Sequence, residues 1–217
     1  MLLSVLNYAG IAVFAASGAL IGVRKRLDVF GVWTMAVLTA LGGGVARDVL
    51  IGVTPPTSFQ SWQNLTVATV AGALVFVLHP QFAVLRGSVL VLDAVGMGVF
   101  ASTGALTALH HGVSPYGSAL VGITTALGGG VLRDILVNEV PLLLQQRDLY
   151  AIPALSGAAA TVAAYQWGAT ESRALIAGAV LATAFRLVAL WQGWRVPVAP
   201  EDLAGRIGRA VRRVFRR

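Results

Sequence analysis

Charged residues are absent from five long stretches of the chain, Met1–Val23, Val49–Leu85, Ala94–Leu132, Leu149–Thr170 and Ala174–Phe185. Within them apolar positions continue for about 20 residues at a time, the length at which a helix crosses a bilayer. Turn and breaker residues collect between these runs, in RKRLD, GVTPPTSFQSWQN, HPQ, HHGVSP and NEVPLLLQQRD. The pattern predicts helices over Ser4–Val23, Val29–Ile51, Trp62–Leu78, Val89–His110, Pro115–Val137, Leu149–Trp167 and Ser172–Trp191. The expected fold class is an all-α polytopic membrane protein with seven transmembrane helices. The first segment lacks the positive charge that precedes a secretory signal's apolar core, so it reads as a retained helix.

Composition agrees. Of 217 residues, 57% are hydrophobic and 12% charged, about half the charged fraction of a soluble domain. Cysteine is absent, which excludes disulfides and thiolate metal sites. His79, His110 and His111 fall at predicted helix ends without the spacing of a ligand pair, so they read as interfacial. No cofactor, structural metal or nucleic-acid partner is expected.

A shift of 86 residues lays the chain on itself. TALGGGVARD (Thr39–Asp48) then meets TALGGGVLRD (Thr125–Asp134), with nine of ten residues identical. Gly10, Val13, Phe14, Ala15, Gly18, Ala19 and Leu20 match Gly96, Val99, Phe100, Ala101, Gly104, Ala105 and Leu106, while Gly31 meets Gly117 and Pro55 meets Pro141. The chain divides accordingly into a first repeat (1–85), a second (86–170), a seventh helix (171–194) and a basic tail (195–217). Three helices is an odd number, so the second copy enters the membrane inverted, the plan of many transport proteins.

Basic residues set the expected orientation. Arg24, Lys25, Arg26, Arg86, Arg147, Arg195 and six tail arginines fall on one side, against Arg173 alone on the other. Positive-inside bias puts the N-terminus outside a bacterial or archaeal plasma membrane and the C-terminus in the cytoplasm. Leu203, Ile207, Val211 and Val214 share one helical face of the tail. The tail reads either as an amphipathic helix on anionic lipid headgroups or as a disordered topology determinant.

The triple glycines, Gly42, Gly43, Gly44 and Gly128, Gly129, Gly130, lie about 20 Å into their helices, near the bilayer middle. Each glycine weakens a helix by about 1 kcal/mol relative to alanine, so a kink or break is expected, with carbonyls freed to meet a transient cation. Close helix packing is the competing explanation, and Gly18–Gly22, Ala101–Ala105 and Ala174–Gly178–Ala182 form further small-residue stripes. Ionisable residues in such helices are functional suspects. Arg47 and Arg133 lie one turn from helix ends, where they could snorkel; neighbours on a helix diverge, so neither need pair with the adjacent Asp48 or Asp134. Asp93 stands level with Arg133, and its repeat mate Asn7 is level with Arg47, which predicts an Arg133–Asp93 contact and a weaker Arg47–Asn7 one. Arg186, alone in the last helix, is expected to snorkel. Hydroxyls of Ser17, Thr39, Thr103 and Thr125 line the candidate path or else bond back to their own helices.

In GGGVARD and GGGVLRD, and in its three-plus-three-plus-one plan, the chain from Ser4 to Trp191 resembles the prokaryotic branch of the TRIC (trimeric intracellular cation) channel family, also described as a glycine transporter domain family. The resemblance implies a homotrimer in which each protomer holds its own pore between inverted halves and passes monovalent cations, chiefly potassium. Animal members are said to carry Lys-Glu-Val at the kink, so their lipid and calcium-store roles do not transfer. The residues alone leave two functions open, a cation pore or an alternating-access transporter of a small zwitterion such as glycine. Nothing in the spacing supports an enzyme.

Overall fold

The computed structural model describes residues 1–83, 88–145 and 149–194, with backbone alone at 80–83 and 88. Arg86, Arg147, Arg195 and the basic tail lie outside the described residues. The described chain is all helical: α1 (Leu2–Arg24), α2 (Val29–Leu50), α3 (Thr57–Gln60), α4 (Trp62–Ala83), α5 (Ser88–His110), α6 (Pro115–Leu136), α7 (Ala151–Gln166) and α8 (Glu171–Gln192). A 3-10 turn occupies Leu142–Leu144. Among the described residues six helices are long and apolar enough to cross a membrane, while α7 has only 16 residues. The long helices start and stop within a few residues of the expected boundaries. The short α3 and the 3-10 turn were not expected.

Local chemistry explains the boundaries. Asp28 caps α2 by accepting a 2.7 Å bond from the Gly31 amide, and its repeat mate Ser114 caps α6 through the Gly117 amide at 3.4 Å. Gly193 ends α8 in the left-handed region at φ 63°. Leu74, Val77 and Val180 stand exposed on the outer flanks, as a surface solvated by lipid requires.

Packing centres on α1 and α5. α1 lies on α2, α4 and α5, and α5 lies on α6, α7 and α8. Where α1 meets α5, the rings of the repeat mates Phe14 and Phe100 are 5.2 Å apart. Phe100 covers Gly10, and Phe14 covers Gly96. The exchange of partners between mates marks a local two-fold relation. The early position of each helix meets the later position of the other, so the two helices cross with opposite sense.

The same relation governs α2 and α6. A methyl group on Gly43 would overlap the Thr125 carbonyl oxygen, and one on Gly129 would overlap that of Thr39. Leu132 fills the space beside Gly42, and the Gly43 Cα lies 3.1 Å from where a Gly128 side chain would begin. Gly44 and Gly130 turn elsewhere, toward Arg47 and Arg133 respectively. Each glycine of the triplet thus has its own neighbour. The small-residue stripe of α8 also packs: Gly178 and Ala182 close on Gly157 of α7.

Of the kink or break expected at the glycines, the break is corrected. α2 and α6 run as unbroken α-helix through all six glycines. Removing the side chains lets the two backbones touch, and this close approach offsets the weakened propensity without opening the hydrogen-bond ladder.

Substitution separates these roles. Gly43→Ala should destabilise the protein by about 1–3 kcal/mol, because the new methyl meets rigid backbone. Gly44→Ala, whose nearest neighbours are flexible side chains at 3.9–4.0 Å, should leave the thermal unfolding midpoint in detergent unchanged or higher.

Candidate functional site

Two polar clusters lie at opposite ends of the glycine crossing, one around each arginine. Arg133 and Asp93 are each 1% exposed. Arg133 donates from Nη1 to Asp93 Oδ1 and to Ser17 Oγ, both at 2.7 Å, so the expected Arg133–Asp93 contact is present. Its Nε and Nη2 each lie 2.9 Å from Asp134 Oδ1. Tyr150 donates its hydroxyl proton to Asp93 Oδ2. Arg186 lays its guanidinium 4.9 Å from the centre of the Tyr150 ring and donates to the Leu149 carbonyl at 3.0 Å.

Three expectations change here. Arg133 and Arg47 do not snorkel; both are buried. Nor does Arg186, which turns inward at 1% exposure to meet Tyr150 and Leu149. Arg47 and Arg133 also pair with the adjacent Asp48 and Asp134, although neighbouring residues diverge on a helix. The arginine side chain is long enough to curl around the backbone, and burial rewards it for doing so.

The Asp of each pair has a second task. Asp48 Oδ2 accepts from the Thr57 amide at 2.8 Å and the Thr57 hydroxyl at 2.6 Å, while Asp134 Oδ2 accepts from the Leu142 amide at 2.9 Å. One oxygen holds the arginine and the other folds the following loop back over the helix end. This accounts for α3 and the 3-10 turn at corresponding places in the two repeats.

The Arg47 cluster is looser. Arg47 reaches Asp48 Oδ1 through Nε at 2.8 Å and Nη2 at 2.7 Å, and Nη2 touches Thr57 Oγ1 at 3.4 Å. The weaker Arg47–Asn7 contact expected from the repeat includes no hydrogen bond between the two side chains. Both residues instead line an open cavity of about 250 Å³, with Asn64, Thr103 and Thr107. Tyr150, which closes the other cluster, is the repeat mate of Asn64.

The four candidate hydroxyls separate. Ser17 joins Arg133, whereas Thr103 and Thr125 donate to the Val99 and Val121 carbonyls of their own helices at 2.9 and 2.7 Å. Thr39 Oγ1 is buried with no hydrogen-bond partner among the described residues. Tyr150, Asn64, Thr57 and the Ser17 link to the opposite repeat were missed. Extending the 86-residue offset to Asn64 and Tyr150 would have shown a polar pair in an apolar setting.

Asp93→Asn tests the closed cluster. It leaves a buried guanidinium short of a counter-charge and should cost about 3–5 kcal/mol, read as a lower unfolding midpoint in detergent.

The family model described as glycine transporter matches the chain twice, over residues 4–80 and 90–166. The UPF0126 membrane protein of Deinococcus radiodurans is 39% identical over 195 residues, covering 89% of this chain and 90% of that protein. The UPF0126 inner membrane protein YadS of Escherichia coli is 35% identical over 95% of this chain and 100% of its own. Among solved structures, the TRIC trimeric intracellular cation channel orthologue from Rhodobacter sphaeroides superposes with a TM-score of 0.82 at 35% identity, covering 89% of this chain and 99% of that one. A second, solved to explain conductance through TRIC cation channels, gives 0.82 at 38% identity, covering 92% and 98%. With both repeats matched and the fold shared over nearly its whole length, this chain belongs to the prokaryotic TRIC family, whose domain also carries the description glycine transporter.

Proposed function

We propose that the protein is a channel for monovalent cations, mainly potassium, and that each protomer of a homotrimer carries its own path between two oppositely inserted three-helix halves. The short α7 and the long α8 bring the spans to seven, with the N-terminus outside and the Arg133 end facing the cytoplasm. The observation that carries this reading is the placement of a polar cluster at each end of the α2–α6 glycine crossing. Buried Arg, Asp, Ser and Tyr side chains in apolar helices are expensive, and they mark ion pathways more often than packing. The likeness to solved TRIC cation channels supports the same choice.

In this reading the path is wide at the Arg47 end, where the polar cavity lies, and closed at the Arg133 end, where Asp93, Ser17 and Tyr150 converge on one guanidinium. Opening requires Asp93 to part from its partners. The glycine crossing shapes the narrow middle, where the Thr39 and Thr125 carbonyls come against the opposite helix.

The purified protein in a planar bilayer should pass unitary potassium currents. Tyr150→Phe, which removes one bond to Asp93, should lengthen the open periods. Flux that saturates with glycine and shows no unitary steps would replace the channel by the alternating-access transporter of a small zwitterion.

A further inference from the structure

The two clusters are built from repeat mates, yet they are satisfied differently. At the Arg133 end one guanidinium serves two carboxylates. Asp134 takes Nε and Nη2, and Asp93 takes Nη1 with help from the Tyr150 hydroxyl. At the Arg47 end the first half of this arrangement is repeated through Asp48. The second half is not. Asn7, an amide, stands where the mate repeat has Asp93, and Asn64 stands where it has Tyr150.

The donors of Arg47 can be followed one by one. A guanidinium has five N–H groups and cannot lose its charge. Nε and Nη2 are engaged by Asp48 and Thr57, and Nη1 has no hydrogen-bond partner among the described residues. The side chain is 9% exposed, and it lines the cavity of about 250 Å³ together with Asn7, Asn64 and Thr103. Asp48 is fully used, its second oxygen being taken by the Thr57 amide and hydroxyl. Charge-assisted bonds to a planar anion are the strongest such a group can make.

We propose that this cavity is a binding site for a small carboxylate, which takes on Arg47 the position that Asp93 takes on Arg133. One carboxylate oxygen accepts from Arg47 Nη1, and the Asn7 amide donates to the other. The cavity volume limits the ligand to a few heavy atoms beyond the carboxylate. A second carboxylate on Arg47 would give this end the charge balance that the Arg133 end already tolerates with Asp93 and Asp134.

Saturation-transfer NMR on the full chain in detergent micelles tests this, with acetate as the probe and methylammonium as a control of opposite charge. The readout needs no conduction, so it stands apart from the channel reading. Acetate should show transfer at millimolar concentrations and methylammonium none. Asn7→Asp, which builds the carboxylate into the chain, should weaken acetate binding at least about tenfold and raise the thermal unfolding midpoint. Asn64→Ala, which keeps both charges, should fold and retain acetate binding in weakened form. No acetate signal in the folded wild-type protein, equal signals from both probes, or acetate binding untouched by Asn7→Asp would each overturn the site.

Discussion

The contact on which the structure depends is the one where α2 and α6 lie backbone to backbone. Gly43 sits under the Thr125 carbonyl and Gly129 under the Thr39 carbonyl, so neither helix can carry a side chain at that position. In a membrane there is little hydrophobic force between helices, and close van der Waals approach is what holds them. The crossing is duplicated at α1 and α5 by Phe14, Phe100 and the glycines they cover. Both contacts exchange partners between repeat mates. A two-fold relation is therefore present in the packing as well as in the sequence.

The crossing also fixes where charge can be placed. With α2 and α6 pinned at their middles and running in opposite senses, Arg47 and Arg133 are held at opposite ends of the pair. Each is tied there to one oxygen of the neighbouring Asp, whose other oxygen folds back the next loop. A single Arg-Asp step thus does two jobs, holding a buried guanidinium and shaping the loop after the helix. The repeats then part company. Asp93 and Tyr150 close one end, while Asn7 and Asn64 leave the other wide and polar.

Much of this was legible beforehand. Apolar runs gave the long helices, because bilayer thickness imposes their length. The ungapped offset identified the repeat mates, and levels along the helices were enough to pair Arg133 with Asp93. A break at the glycine triplet was wrongly allowed for because helix propensity can be summed from a sequence, whereas the facing surface that rewards an unbroken helix cannot. Arg186 was misplaced for a related reason. Its position near a helix end suggested an interface, but the Tyr150 ring and the Leu149 carbonyl come from a segment distant in sequence. The curl of Arg onto the adjacent Asp was hidden too, since backbone geometry separates the two and only burial brings them together.

If the two halves enter the membrane in opposite directions, mates in the two halves face opposite sides of the bilayer and can be labelled from one side each. The chain has no cysteine, so Phe59→Cys and Gln145→Cys, exposed mates in the loops after α2 and α6, each provide one reactive thiol. An impermeant maleimide should reach Phe59→Cys from one face of a sealed vesicle and Gln145→Cys only from the other. Labelling of both from the same face would contradict the inverted arrangement and, with it, a path running between the halves.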